Sequence, residues 1–220
     1  MDKRFRLIKL DGNYDPMMRI VSEKVTLNKN DITLIFDFFV FWWKKTLIQN
    51  KKFDVVRFGK FDIKAFKTCI KVRFLTLNHS NRNVSKAIPN AVKFHFVKEQ
   101  IKYDKLFNLF SKSVHINFNK MFYLLNLFIY SIIEGLRDKG LVKIKFLGYF
   151  YTEEFKTRSL SKNHWGQPVN PEQYKVTHII RFKMSHQLRK EVNNKVDSFY
   201  VTPRLKKILD YLGVSTKISA

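Results

Sequence analysis

The chain has 220 residues, 45% of them hydrophobic, and carries 42 Lys+Arg against 18 Asp+Glu for a net charge of +24. The apolar content excludes wholesale disorder, and the single cysteine, Cys69, excludes an internal disulfide and a thiolate metal site. The excess of cations attracts polyanions, so nucleic acid or an acidic protein surface is the expected partner.

The opening MDKRFRLIKLDGNYDP is charged and turn-rich, unlike a signal peptide, and RFRLIKL within it reads as a short strand. After the Asn-rich turn LNKND, Ile32, Ile35, Phe36, Phe39, Val40, Trp43 and Leu47 recur at steps of three and four. That spacing predicts an α-helix. Leu34, Phe38, Phe41 and Trp42 add apolar groups on its other faces, so a sister unit or another subunit must cover it. The run FDVVRFGKFDIKAF then alternates as a half-buried antiparallel sheet does. A polar stretch, SNRNVSKAIPN, leads to a returning strand, AVKFHF, and a short helix near 96–103.

The same order then recurs. Gly59 of VRFGKF and Gly148 of KFLGYF are 148 − 59 = 89 positions apart, and this offset pairs Val25 with Val114, Leu27 with Ile116, Asn28 with Asn117 and Phe61 with Phe150. The first helix maps onto Met121, Leu124, Leu125, Phe128, Ile129, Ile132 and Leu136, all apolar. Strands LVKIKFLGYFYTEEF and VTHIIRF flank the polar LSKNHWGQPVNP, and a helix near 183–192 closes the copy. The runs ITLIFDFFVFWW and MFYLLNLFIYSII are too short to span a bilayer, which predicts buried core helices. Beyond the repeat, Thr202 as cap, Pro203 in the first turn and Gly213 at the end mark a further helix. Its stripe of Leu205, Ile208, Leu209 and Leu212 suits docking in a groove, its own or a neighbour's.

Two helices, then V-x-F-G-x-F, a long basic arm and F-x-x-x-x-x-L, form an order that resembles the HU/IHF family. The carrying residues are Val56, Phe58, Gly59 and Phe61 in copy one, and Leu147, Gly148 and Phe150 in copy two. Phe182 with Leu188 matches the closing strand and helix, with His95 or Phe96 and Ile101 as the weaker counterpart. The resemblance implies an α+β fold of two tandem HU/IHF-like domains, 17–102 and 103–192, between an N-terminal extension (1–16) and a C-terminal docking helix and tail (193–220). Each domain would hold a helix pair, a three-stranded antiparallel sheet with an extended β-ribbon arm, and a short C-terminal helix. The family pairs such units so that two arms embrace DNA in the minor groove, with a tip proline wedged between base pairs. Pairing within one chain and pairing with a neighbour's repeat both stay open.

The tips depart from the family's G-R-N-P. Copy one reads Asn81-Arg82-Asn83-Val84, and copy two reads Lys162-Asn163-His164-Trp165-Gly166. Val84 and Trp165 are either wedges for DNA or plugs for a protein pocket. In the first arm Lys64, Lys67, Lys71, Arg73, Arg82 and Lys86 face Asp62 alone, whereas the second mixes cations with Glu153, Glu154 and Glu172. Phosphate binding needs such clustered cations. No phosphate-cradling glycine loop, histidine pair at helix spacing or nucleophile elbow is present, so no catalytic residue, cofactor or metal is expected.

Two functions follow. One is an HU/IHF-type architectural protein that binds and bends double-stranded DNA at the nucleoid. The other is a non-enzymatic phage virion protein, a neck or tail ring (barrel) subunit made in the host cytoplasm. Its partners would be other virion proteins or copies of itself, around the DNA channel and away from any membrane. The lost tip prolines, the over-apolar first helix and the appended docking helix favour the ring. The Lys/Asn/Phe-rich style is also similar to crAss-like bacteriophages, whose IHF-like proteins are associated with tail rings.

Overall fold

The computed structural model describes residues 25–55, 58–66, 70–76, 104–158 and 174–218, together with Val21. Along them run α1 (Lys29–Asn50), β1 (Lys52–Val55), β2 (Gly59–Ala65), β3 (Ile70–Thr76), α2 (Lys105–Ser113), α3 (Phe118–Lys139), β4 (Leu141–Ile144), β5 (Gly148–Arg158), β6 (Tyr174–Met184), α4 (His186–Val192) and α5 (Pro203–Tyr211). The fold is mixed α+β, with two three-stranded antiparallel sheets ordered β1-β2-β3 and β4-β5-β6.

The repeat is written into the backbone. α1 and α3 are each 22 residues long, and their caps, Asn28 and Asn117, accept hydrogen bonds from Asp31 N and Lys120 N at 2.8 Å. Both helices carry their apolar run at spacings that bury it, as expected. Each stops at a left-handed residue, Lys51 at φ 58 and Gly140 at φ 68. A side chain there costs about 1 kcal/mol that glycine avoids. Lys51→Gly is therefore expected to stabilise the protein by about 1 kcal/mol in urea unfolding. Gly140→Lys should cost a similar amount.

α1 tolerates apolar groups on every face because its own chain surrounds it. Phe36, Phe39 and Trp43 pack around Phe128 of α3 with ring centroids 4.8, 5.8 and 5.6 Å away. Phe38 stacks on Phe110 of α2 at 3.8 Å. Trp42 donates to the Asp104 carboxylate at 2.8 Å, and the other oxygen of Asp104 caps α2 at Phe107 N. On the far side Phe41 meets Phe199 edge-on at 5.5 Å. Beneath the sheets, Phe58, Phe61 and Phe74 of one repeat pack against Phe150 of the other at 5.2, 6.1 and 5.3 Å. The described buried apolar residues thus form one core shared by both repeats. Ring pairs of this kind contribute about 0.5–1.5 kcal/mol each beyond the area they bury.

The C-terminal helix finds its groove on α1 of the same chain. Leu205 and Leu209 are fully buried, while Ile208 and Leu212 are half-buried. Thr202 holds the cap position, but its hydroxyl donates to Asp37 of α1 at 2.8 Å instead of bonding its own helix. Arg204 donates to the Asn30 carbonyl and to Asp31, at 2.9 and 3.0 Å.

At the arms the two copies part. The strand that returns along β2 is β3, with Ala65 opposite Ile70, Phe61 opposite Phe74 and Gly59 opposite Thr76. β2 is thus paired along its whole length by Ile70–Thr76, and the expected tip at 81–84 lies outside the described residues. Phe74 stands opposite Phe61 as Phe182 stands opposite Phe150, and His95 and Phe96 lie outside the described residues. Along β3 burial alternates: Val72 and Phe74 are buried while Lys71, Arg73 and Leu75 are exposed. That pattern completes the apolar face of the sheet. In copy two, β5 and β6 are 11 residues each, against 7 for β2 and β3, and Phe150 lies opposite Phe182. The expected strands RFRLIKL and AVKFHF and the helix near 96–103 lie outside the described residues.

Candidate nucleic-acid interface

Strand pairing sorts every sheet residue onto one of two faces, because opposite residues of an antiparallel pair share a face. Phe61 with Phe74 and Phe150 with Phe182 share the inner face, where the four rings pack together and Phe61 meets Trp43 of α1. The other face of the first sheet carries Lys52, Asp54, Lys60, Asp62, Lys64, Lys71 and Arg73. On the second sheet it carries Lys143, Glu153, Arg181 and Lys183, with Tyr149 and Tyr151. Cations outnumber carboxylates on both outer faces.

The two faces meet along a seam where β3 runs beside β6. A cleft of about 480 Å³ opens there, lined by Lys64, Phe66, Lys71 and Arg73 from one sheet and by Tyr151 and Arg181 from the other. A second cleft of about 410 Å³ continues it past Lys71 and Lys183 to Arg189 of α4. Asn193, just after α4, fastens the seam across the repeats. Its side-chain oxygen accepts from Ile70 N at 2.9 Å, and its amide donates to Ile70 O at 3.1 Å.

Electrostatics within the face are only partly satisfied. Asp62 lies 3.2 Å from Lys64 Nζ and 3.5 Å from Arg73. Burial pushes its carboxyl up, but Lys64, Arg73 and Lys52 together hold it below the usual carboxylate range. Arg181 pairs with Glu153 at 2.9 Å with both side chains about half exposed, a pair worth at most about 1 kcal/mol. Lys71 sits over the Phe66 ring at 5.3 Å and Lys183 over Tyr149 at 5.7 Å. Such a face can bind a polyanion by releasing its counterions.

Of the residues predicted from sequence, Lys64, Lys71 and Arg73 come together here. Lys67, Arg82, Asn83, Val84, Lys86, Lys162, Asn163, His164 and Trp165 lie outside the described residues. Phe58, Gly59, Phe61, Leu147, Gly148 and Phe150 are buried and Phe182 is half-buried; their work is packing. Sequence reasoning missed Phe66, Tyr151 and Arg189. Phe66 continues the outward alternation of Lys60, Asp62 and Lys64, a signal legible without coordinates. Arg189 carries no such signal, since only the packing of α4 beside β3 brings it to the cleft.

Among the described residues no group of three or more His, Cys, Asp or Glu is placed to hold a metal ion. No single described helix is long and apolar enough to cross a membrane; α2 and α3 pass that test only as a pair bent by 104°. Set against models of known protein families, curated proteins and solved structures, the chain matches none.

Proposed function

We propose that this chain is a non-enzymatic, HU/IHF-like protein that binds double-stranded DNA without sequence preference, its two tandem repeats acting together as a single-chain pseudo-dimer. The observation that carries this reading is the seam. Outer-face cations of both repeats, Lys64, Lys71, Arg73 and Arg181, line one continuous cleft. Two of the features that favoured an external protein partner are satisfied inside the chain. The apolar α1 is covered by the sister repeat and the tail, and the stripe of α5 docks on α1.

Fluorescence anisotropy with a random-sequence duplex at several salt concentrations tests the proposal. Neutralising about four to six phosphates should give a log–log slope of about −4 to −5. Each of Lys71→Met, Arg73→Met and Arg181→Met should reduce that slope by about one. Binding that is absent, or indifferent to salt, would sink the reading.

A second reading, a phage neck or tail ring subunit, is favoured by Tyr211. This aromatic closes α5 at 87% exposure, next to a tail that already grips its own chain. Size-exclusion with light scattering separates the two readings. Closed higher-order rings that Tyr211→Ser dissolves support the ring, and a monomer at all concentrations removes it.

A further inference from the structure

The two clefts along the seam share Lys71, Val72 and Phe182, so they form one groove. Their volumes, about 480 and 410 Å³, fall in the range of small-ligand sites. A duplex can lie across such a groove but not in it, since its major groove alone is about 12 Å wide.

The lining is sorted along the groove. At one end stand the rings of Phe66 and Tyr151. Phe66 is 56% exposed beside Lys71, and Tyr151 shares its rung with Arg181. At the other end stand Lys71, Lys183 and Arg189, all exposed. None of these three forms an ion pair among the described residues, whereas Arg73 and Arg181 already face Asp62 and Glu153. Rings at one end and unmatched cations at the other fit a ligand of the same polarity, a flat aromatic group joined to a chain of anions. An unpaired nucleobase offers a face for stacking, and phosphates accept strong charge-assisted hydrogen bonds from arginine and lysine. Inside a duplex that base face is already covered by its neighbours.

We propose that the seam binds one free nucleoside triphosphate, its base against Tyr151 and Phe66 and its phosphates held by Lys71, Lys183 and Arg189. The site goes beyond the duplex-binding reading and does not depend on it, because its selectivity lies in the rings.

Calorimetric titration of ATP and of inorganic triphosphate into the full chain, without divalent cations, tests this. ATP is expected to bind at one per chain and about tenfold more tightly than triphosphate, the difference being the stacked base. Phe66→Ala, at an exposed position, and Tyr151→Ala should each shrink that preference and leave triphosphate binding unchanged. Tyr151→Phe, which keeps the ring, should retain it. Arg189→Met should weaken both ligands alike, by about fivefold. A wild-type protein that binds the two ligands equally, or takes up ATP without saturating, overturns the site. So does a Phe66→Ala protein that keeps the full preference. A short oligothymidylate that displaces ATP and binds more tightly overturns the free nucleotide as the ligand. Loss of duplex binding with ATP binding intact sinks the DNA reading alone, and the converse result sinks this site alone.

Discussion

Replacing Lys44 with methionine is expected to lower the unfolding free energy by about 3–5 kcal/mol, which is roughly 6–20 °C in midpoint for a chain of this size. Lys44 of α1 and Glu191 of α4 form an ion pair 2.6 Å apart with both side chains fully buried. Lys44 also donates to the Tyr200 carbonyl at 2.8 Å, and Tyr200 N donates to the same Glu191 oxygen at 2.6 Å. The pair therefore ties the first repeat, the second repeat and the tail at one point. The rings of Phe146 and Phe199 complete the cage, 5.6 and 5.7 Å from Nζ.

Burial works against both charges. It lowers the Lys44 ammonium pKa, against the pull of Glu191, and raises that of the Glu191 carboxyl, against the pull of Lys44 and the Tyr200 N–H. Removing Lys44 leaves a buried carboxylate with only that N–H to favour its charge, so the Glu191 pKa rises further. A group whose folded pKa is raised stabilises the fold at pH below its unfolded value and loses that contribution as pH rises through the folded value. The Lys44→Met deficit should accordingly be smallest in mild acid and grow toward neutral pH. Urea unfolding at the two pH values reads this directly. The double variant Lys44→Met, Glu191→Leu should recover part of the loss at all pH, since an apolar pair avoids desolvating two charges but takes the partners of the Tyr200 N–H and carbonyl away. A single variant with wild-type stability would show that the pair contributes nothing.

Gly148→Ala is expected to cost about 2–6 kcal/mol, from backbone strain and overpacking together. Gly148 opens β5 at φ 150, opposite Met184, and a Cβ there would lie 2.3 Å from the Lys183 carbonyl oxygen and 2.9 Å from Met184 Cα. Both obstacles are backbone, so relief requires parting β5 from β6 at its base. That movement would disturb the bond from Ser185 N to Leu147 O, 3.0 Å long, and the packing of Phe182 on Phe150 at 4.9 Å. The repeat supplies a control. A Cβ on Gly59 would meet the Phe74 ring at 2.4 Å and the Leu75 carbonyl at 2.8 Å. Gly59 carries no left-handed φ, and of its two obstacles only the Leu75 carbonyl is backbone, so Gly59→Ala should cost less. Thermal unfolding of the two variants side by side checks the order; equal losses would refute the role given to the φ of Gly148.

Local chemistry explains what was readable beforehand. Asn28 and Asn117 start their helices by accepting a bond three residues on, a geometry that depends on neighbours in the chain. The helical run of α1 and the alternation of β2 depend on period alone, so the 89-residue offset transferred both to α3 and β5. The returning strand was a different matter. Nothing local named Ile70–Thr76 as the partner of β2, which only the register with Ala65 opposite Ile70 shows. The stripe of α5 was legible as a docking face, yet nothing local named α1 as its groove.

The duplication, the start and period of each helix and the sign of the charge were legible in the residues alone, because these are properties of near neighbours and sums. It took the folded chain to bring Phe58, Phe61 and Phe74 of one repeat onto Phe150 of the other, to bring Lys44 and Glu191, 147 positions apart, together in the core, and to set cations from two sheets along one seam. Those outcomes are set by which surfaces exclude water together, and that choice involves residues no periodicity connects.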